Sequence, residues 1–444
     1  MKLNNTISIV GLGKLGASMA VAIADQGFNV IGVDVNKIAI DNLNAGKSPI
    51  QETNIQEYID RNKIRLSATT SHQDAVLQSD ITFVIVPTPS EKNGSFSTKY
   101  VASAFESIGK AIKEKGEYHL VVLTSTVLPG ETRKLISILE KESRKICGKD
   151  FGVCYSPEFI AIGSVIHDFL NPDFLLVGEF DKKSGDILEK YYRYIMENCA
   201  PCKRMSIENA ELAKISLNFY VTMKITFANT IAELCEKLPG GDVDAISNAI
   251  GIDKRIGRKY LTGGLGFGGT CFPRDNIAFS YFAQSVGVNV EFAESIDRFN
   301  RSIPSRYVGV LSKIIKPGSV VAILGLSYKP NSSVVEESQS ITLAQEFSKN
   351  NYKVIGYDPL ANENARQVLG DDIEIKNSIQ ECISIADAVI ITTQDKEFVD
   401  LKLQDFHNGK REIIVVDFWR SLKSVLSNQA GIRYIAVGNY NECM

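Results

Sequence analysis

The chain lacks most of what would set it apart from ordinary globular proteins. Its net charge is −3 over 444 residues, so no excess of one sign points to a nucleic-acid partner or an anionic membrane surface. No apolar run reaches the roughly 18 residues that suggest a membrane span. The eight cysteines follow no disulfide-framework spacing. Cys199-Ala200-Pro201-Cys202 is a CxxC without a second pair, so neither a four-ligand zinc site nor any other metal is expected. Free thiols fit a reducing compartment. Met1 to Asn5 lead straight into a strand pattern without a secretory signature, and a cytoplasmic protein is expected. Low-complexity segments and short-period repeats are also missing.

What is present is a globular composition, 44% hydrophobic and 23% charged, on a chain too long for one core, so two or three domains are expected. Thr6–Val10 reads as a buried strand. Gly11-Leu12-Gly13-Lys14-Leu15-Gly16 and an Ala-rich helical run to Gln26 follow, and a second strand, Asn29–Val33, ends at Asp34. A lone G-x-G-x-x-G is weak, but strand before, helix after and an acid 18 residues beyond Gly16 make a dinucleotide fingerprint. Gly11 allows the tight turn, Gly13 lets the backbone approach a pyrophosphate, and Gly16 lets helix pack on strand. Asp34 would accept bonds from a ribose diol and repel a 2′-phosphate, which favours NAD over NADP.

Further strand-and-loop units follow at Ile81–Val86 and Leu120–Leu123. Thr88, Ser125 and Thr126 sit at the carboxyl ends of these strands, where open α/β sheets bind ligands; as isolated hydroxyls they could equally be helix caps. A short strand, Gly152–Tyr155, leads to Pro157-Glu158-Phe159. Glu158 is either an acid/base or an exposed loop acid. From Glu208 the period changes: Leu212, Ile215, Phe219, Met223, Phe227, Ile231 and Leu234 recur every three or four residues. That predicts one helix of about 30 residues, about 45 Å long, a spine between domains. Phe219, Met223, Phe227 and Ile231 are too many for short neighbours to cover, so a homodimer is expected. Lys214 and Asn218 share a helix face, either solvated or functional.

Gly263-Gly264-Leu265-Gly266-Phe267-Gly268-Gly269-Thr270-Cys271-Phe272-Pro273-Arg274-Asp275 puts five glycines in seven residues just before a cysteine, a cation and a carboxylate. A regular element would suffer from so many glycines; a backbone that approaches something closely would not. The loop is either a turn with a structural Cys or the seat of a nucleophile. A helix is expected around Ile277–Val286. A third unit has strands at Val320–Leu324, Lys353–Tyr357, Ala388–Thr392 and Glu412–Val416, with no G-x-G-x-x-G after the first, so it should bind something other than a second NAD. Lys329 and Arg420 lie past strand ends and could hold phosphates. The expected fold is α/β, with two Rossmann-like doubly wound domains (1–205 and 306–444) joined by a long central helix and a helical middle domain (206–305).

With these pieces in order, the chain resembles the UDP-glucose/GDP-mannose dehydrogenase family over essentially its whole length. The resemblance rests on Gly11–Gly16, Pro87-Thr88-Pro89, Ser125-Thr126-Val127, Pro157-Glu158-Phe159, Ala210-Glu211-Leu212-Ala213-Lys214 with Asn218, Gly266 to Pro273, and Tyr328-Lys329-Pro330-Asn331. It implies a four-electron oxidation of a sugar-nucleotide alcohol to a uronic acid with two NAD reduced, most readily UDP-glucose. UDP-N-acetylhexosamine or GDP-mannose would be alternatives of the same chemistry, and a dinucleotide-binding regulator without turnover an alternative of another kind. By the same resemblance Cys271 would attack the aldehyde, and Lys214 and Asn218 would hold the oxyanion. Glu158 with Thr126 and a water would move protons, and Asp275 would position the water or Lys214. Thr88 and Thr126 would line the cofactor, and Gly268, Lys329 and Arg420 the substrate. Arg255, 16 residues before Cys271, would reach the sugar in a neighbouring subunit. The chain departs from the family at Ile162 (usually an acid), Phe174 (an arginine), Arg274 (a lysine) and Glu336 (an arginine near the pyrophosphate).

Overall fold

The computed structural model describes residues 5–160, 163–407, 409 and 412–442; Ile162 lies outside them. It divides into two compact units, 1–216 and 217–444.

The first unit is built on eight strands: Thr6–Val10 (β1), Asn29–Val33 (β2), Leu66–Thr69 (β3), Ile81–Val84 (β4), His119–Leu123 (β5), Phe151–Tyr155 (β6), Leu175–Glu179 (β7) and Cys202–Ser206 (β8). Their order is β3-β2-β1-β4-β5-β6-β7-β8, parallel except where β6 meets β7. Helices cover both faces, which is why β4, β5 and β6 are buried throughout rather than alternating. The sequence pattern predicts the central strands but not β3, β7 or β8. The two outer ones, β3 and β8, are short, half-exposed and carry polar residues, so they have little apolar pattern to read.

The second unit holds Val320–Leu324 (β9), Lys353–Tyr357 (β10), Glu374–Ile375 (β11), Ala388–Ile391 (β12), Ile413–Asp417 (β13) and Ile432–Ala436 (β14), in the order β11-β10-β9-β12-β13-β14 and all parallel. The first six strands of the N-terminal sheet have this same order, so both ends are doubly wound. Their first turns also match. Gly11 (φ +101°) has the Ile85 carbonyl where a Cβ would stand, and Gly325 (φ +103°) has the Thr393 side chain there. The acids ending the second strands differ. Asp34 is half-buried and accepts the Leu12 and Asn36 N–H groups at 2.6 and 2.8 Å. Asp358 is buried, and its carboxylate accepts from Leu326 N, Ser327 N, Ser327 Oγ, Leu360 N and Ala361 N. The second turn has its acid enclosed by the protein's own donors.

The spine helix runs Ile207–Lys237, 31 residues. Within the first unit, the buried Glu211 carboxylate accepts from Gly130 N and Thr132 N at 2.6 and 2.8 Å, capping the helix Glu131–Ser143, whose own N-cap Gly130 has no side chain to do it. Within the second, buried Glu236 accepts from Tyr307 Oη and Gly438 N at 2.9 and 3.1 Å. The exposed apolar face agrees with the expected one only at Phe227. Phe219 is stacked on Phe279 (centroids 4.4 Å) and meets Phe292 edge-on. What stands open is Tyr220, Phe227 and Leu234, seven residues apart on one face. Among the described residues no helix is long and apolar enough to cross a membrane.

Candidate active site

In the first unit the Gly11–Gly16 turn forms between β1 and the helix Lys14–Asp25. A Cβ on Gly16 would strike the Gly11 carbonyl at 1.9 Å, so packing demands glycine there. Gly13 is different: a Cβ there would meet nothing within 4 Å. Packing does not require this glycine, and the space beside it is left for something outside the chain to approach the first-turn N–H groups. Two features were not read from the sequence: Val35 and Ile38, just past Asp34, are 91% and 71% exposed apolar side chains.

The loops after β4 and β5 are stitched together. The Ser125 hydroxyl donates to Val86 O (2.7 Å) and accepts from Val86 N (2.9 Å), and the Thr88 hydroxyl donates to Thr126 O (2.8 Å). None of Thr88, Ser125 and Thr126 caps a helix: the next helices are preceded by Thr98 and Gly130.

Past β6, Glu158 is half-buried rather than exposed. Burial pushes its carboxyl up to about 7, with the Lys214 ammonium opposing. Lys214 is itself buried. Its Nζ donates to the Glu158 carbonyl at 2.6 Å and lies 4.5 Å from the Phe159 ring centroid. Phe174 packs on Phe159 with centroids 4.9 Å apart, so the site of the expected arginine carries the back of an aromatic pair.

In the second unit the Cys loop is a close-packed strap. A Cβ on Gly268 would lie 2.3 Å from the Glu337 carbonyl, and one on Gly269 (φ +81°) 2.5 Å from the Tyr328 ring. The Asn300 side-chain amide pairs with both backbone groups of Phe267, at 2.8 and 2.9 Å. Gly269 N donates to Glu336 O at 3.1 Å, while Glu336 itself is exposed. Cys271 emerges exposed as the N-cap of the helix Phe272–Ser285, with Thr270 Oγ1 3.6 Å from its sulfur. This helix starts five residues earlier than expected; Pro273 in its first turn was the available signal. Asp275, in the first turn, accepts from Asn218 Nδ2 at 2.6 Å and lies 3.4 Å from Arg274 Nε; Asn218 and Asp275 are both buried.

The outlying cations fare differently. Arg255 is exposed and held by Asp253 through Nε and Nη2, the closest approach being 2.6 Å. Lys329 is half-buried on a loop pinned where Asn331 N donates to Asp395 at 3.0 Å. Arg420 is not an outward cation. It is buried, pairs with Asp244 at 2.6 and 3.1 Å, and donates to the Phe418 and Val437 carbonyls. Among the described residues no cluster of three or more His, Cys, Asp or Glu side chains could hold a metal.

Comparison with known proteins covers nearly the whole chain. Residues 5–196 match the NAD binding domain of the UDP-glucose/GDP-mannose dehydrogenase family, 208–302 its central domain and 322–424 its UDP binding domain. The UDP-glucose 6-dehydrogenase of Haloferax volcanii is 33% identical over 433 residues, covering 96% of this chain and 99% of its own. The GDP-mannose 6-dehydrogenase of Pseudomonas putida is 35% identical over 443 residues, covering 96% and 99%. A solved UDP-glucose dehydrogenase from Pyrobaculum islandicum superposes with a TM-score of 0.88 at 33% identity, covering 98% of each chain.

Proposed function

Because the chain belongs to the UDP-glucose/GDP-mannose dehydrogenase family, whose members are NAD-dependent nucleotide-sugar dehydrogenases, we propose that it oxidises the C6 alcohol of UDP-glucose to the carboxylate of UDP-glucuronate. The observation that carries the reading is the exposed Cys271 thiol, presented at a helix N-terminus on a rigid glycine strap. The open side of Gly13 and the carboxylate of Asp34 fit a pyrophosphate and a ribose, and the exposed Val35 and Ile38 offer an apolar face to a base. Bound NAD supplies the oxidising capacity for both half-reactions.

The chain's own groups do the rest. Glu158, ionised, takes the proton of the C6 hydroxyl through water near Thr126 as the alcohol becomes an aldehyde. The Cys271 sulfur then adds to the aldehyde carbon. The charge that develops on oxygen is met by Lys214 and Asn218, one turn apart on the spine helix. Oxidation of this thiohemiacetal gives a thioester, and water, deprotonated by Glu158, cleaves it to the carboxylate and frees the thiol. Asp275 fixes Asn218 for this role through its 2.6 Å hydrogen bond. Lys329 is the cation we assign to the nucleotide. Arg420, saturated by Asp244 and two carbonyls, we assign to holding the fold. A second copy of the chain would cover the Tyr220, Phe227 and Leu234 stripe, and Arg255 would serve that copy's site.

GDP-mannose is a second reading, favoured by the Pseudomonas putida relative, whose identity equals or exceeds that of the UDP-glucose enzymes above. NADH formation with UDP-glucose, UDP-N-acetylhexosamines and GDP-mannose decides between them. The highest kcat/KM with UDP-glucose supports the leading reading; the highest with GDP-mannose replaces it; none with any sugar nucleotide overturns both.

A further inference from the structure

Lys224 sits mid-way along the spine helix, and its position is costly. It is only 9% exposed, and its Nζ donates to the carbonyls of Ile256 and Gly257, each at 3.1 Å. Burial alone lowers its pKa; among the described residues no carboxylate offsets it. A buried ammonium without a counter-charge is an expensive way to hold a loop that merely connects two elements. The loop is unusual in turn. It turns at Gly257 (φ +71°), holds Tyr260 at φ +65°, and exposes Ile252, Ile256 and Tyr260 as well as Arg255. Lys224 lies four residues after Tyr220 and three before Phe227, so on the helix it falls in line with the exposed stripe. The loop is therefore fastened down on the same helix face that carries the stripe.

We propose that Lys224 is a positioning residue for substrate binding: its ammonium clamps the 252–260 loop along the stripe so that Arg255 is held toward a second copy of the chain docked there. This rests on the reading of Arg255 given above. Asp253 orients the guanidinium locally, through its carboxylate, while Lys224 sets where the whole loop stands.

The test is a double-mutant cycle on the full-length enzyme with Lys224→Met and Arg255→Ala, read as KM and kcat for the sugar nucleotide, with sedimentation to follow assembly. Lys224→Met should raise KM about tenfold with kcat within about threefold, and should add nothing further to Arg255→Ala, because both remove the same contact. Lys224→Arg, which still donates to both carbonyls, should restore KM, and it keeps the test open if the methionine variant folds poorly. An unchanged KM in Lys224→Met, a full additive effect in the double variant, or dissociation of Lys224→Met into monomers overturns the proposal. An Arg255→Ala enzyme with normal KM overturns the reading of Arg255, and the role of Lys224 falls with it.

Discussion

The Lys214 ammonium donates to the backbone carbonyl of Glu158 at 2.6 Å, and its charge opposes the burial that raises the carboxyl of the same residue to about 7. As the proposed base, Glu158 can take a proton only when ionised, so kcat/KM should rise with pH through about 7 and fall as protons return below it. Glu158→Gln should remove that limb. Lys214→Met takes away the opposing charge, so the limb should move to higher pH, while loss of an oxyanion donor lowers kcat on the order of 10²–10³-fold. A pH–rate profile of each variant checks both; a limb that stays put in Lys214→Met disproves the coupling.

Asp34 bridges the first two turns of the sheet through Leu12 N and Asn36 N, leaving its carboxylate fixed at the end of β2. The unaltered enzyme should prefer NAD to NADP, since a 2′-phosphate would meet that charge. Asp34→Ser should narrow the ratio of kcat/KM for the two cofactors. Equal rates with both in the unaltered enzyme would contradict this assignment.

Buried Asp275 is the acceptor of Asn218 and the near neighbour of Arg274. Asp275→Ala strands the Asn218 amide, which should cost about 1–3 kcal/mol in a denaturation experiment. Asp275→Asn keeps an oxygen to accept from Asn218 but no charge. It should stay closer to the original stability and still lose turnover. Equal turnover in Asp275→Asn and the unaltered enzyme would confine Asp275 to folding.

Which parts of this site could be read in advance follows from the range of the contacts. Gly11, Gly16 and Asp34 are legible because turn, helix and acid lie within 25 residues, although the carbonyl that crowds Gly11 comes from distant Ile85. The spine helix is legible by its period, and the Cys loop by its glycines, whose partners Tyr328 and Glu337 could not be named. Glu158 could not be told from a surface acid, because neither its burial nor the Lys214 ammonium that opposes it, 56 residues on, is local in sequence. The pairing of Arg420 was unreadable for the same reason: Asp244, 176 residues away, closes on it. The period also picked Phe219 as an interface residue, because periodicity cannot tell a face covered by Phe279 from one left open.

If a second copy packs on the stripe, a charge placed there should separate the copies. Phe227 is 46% exposed within one chain, so Phe227→Glu costs the isolated fold little but would bury a carboxylate in a dimer. Sedimentation should show dimers for the unaltered protein and monomers for Phe227→Glu. Mixing Arg255→Ala with Cys271→Ala should recover part of the activity, since a hybrid would carry one site with both groups intact. A fully active monomer rules the arrangement out.

In the proposed mechanism Cys271 separates the two half-reactions. The first oxidation needs a base and the cofactor but no sulfur; the second needs the aldehyde held as a tetrahedral adduct before it can be oxidised again. The unaltered enzyme should therefore form two NADH for each sugar consumed. Cys271→Ala should form no covalent adduct, yet still reduce the aldehyde with NADH, because that reverse step bypasses the thiol. Cys271→Ser keeps a nucleophile of similar size, but an alcohol ionises far less readily than a thiol and its ester hydrolyses more slowly than a thioester. It should fail to sustain turnover, and mass spectrometry should find an ester on Ser at that position or aldehyde released slowly. A Cys271→Ala enzyme with normal uronic-acid output, or an unaltered enzyme that stops at one NADH per sugar, would show that the thiol at the head of the Phe272–Ser285 helix is not the nucleophile.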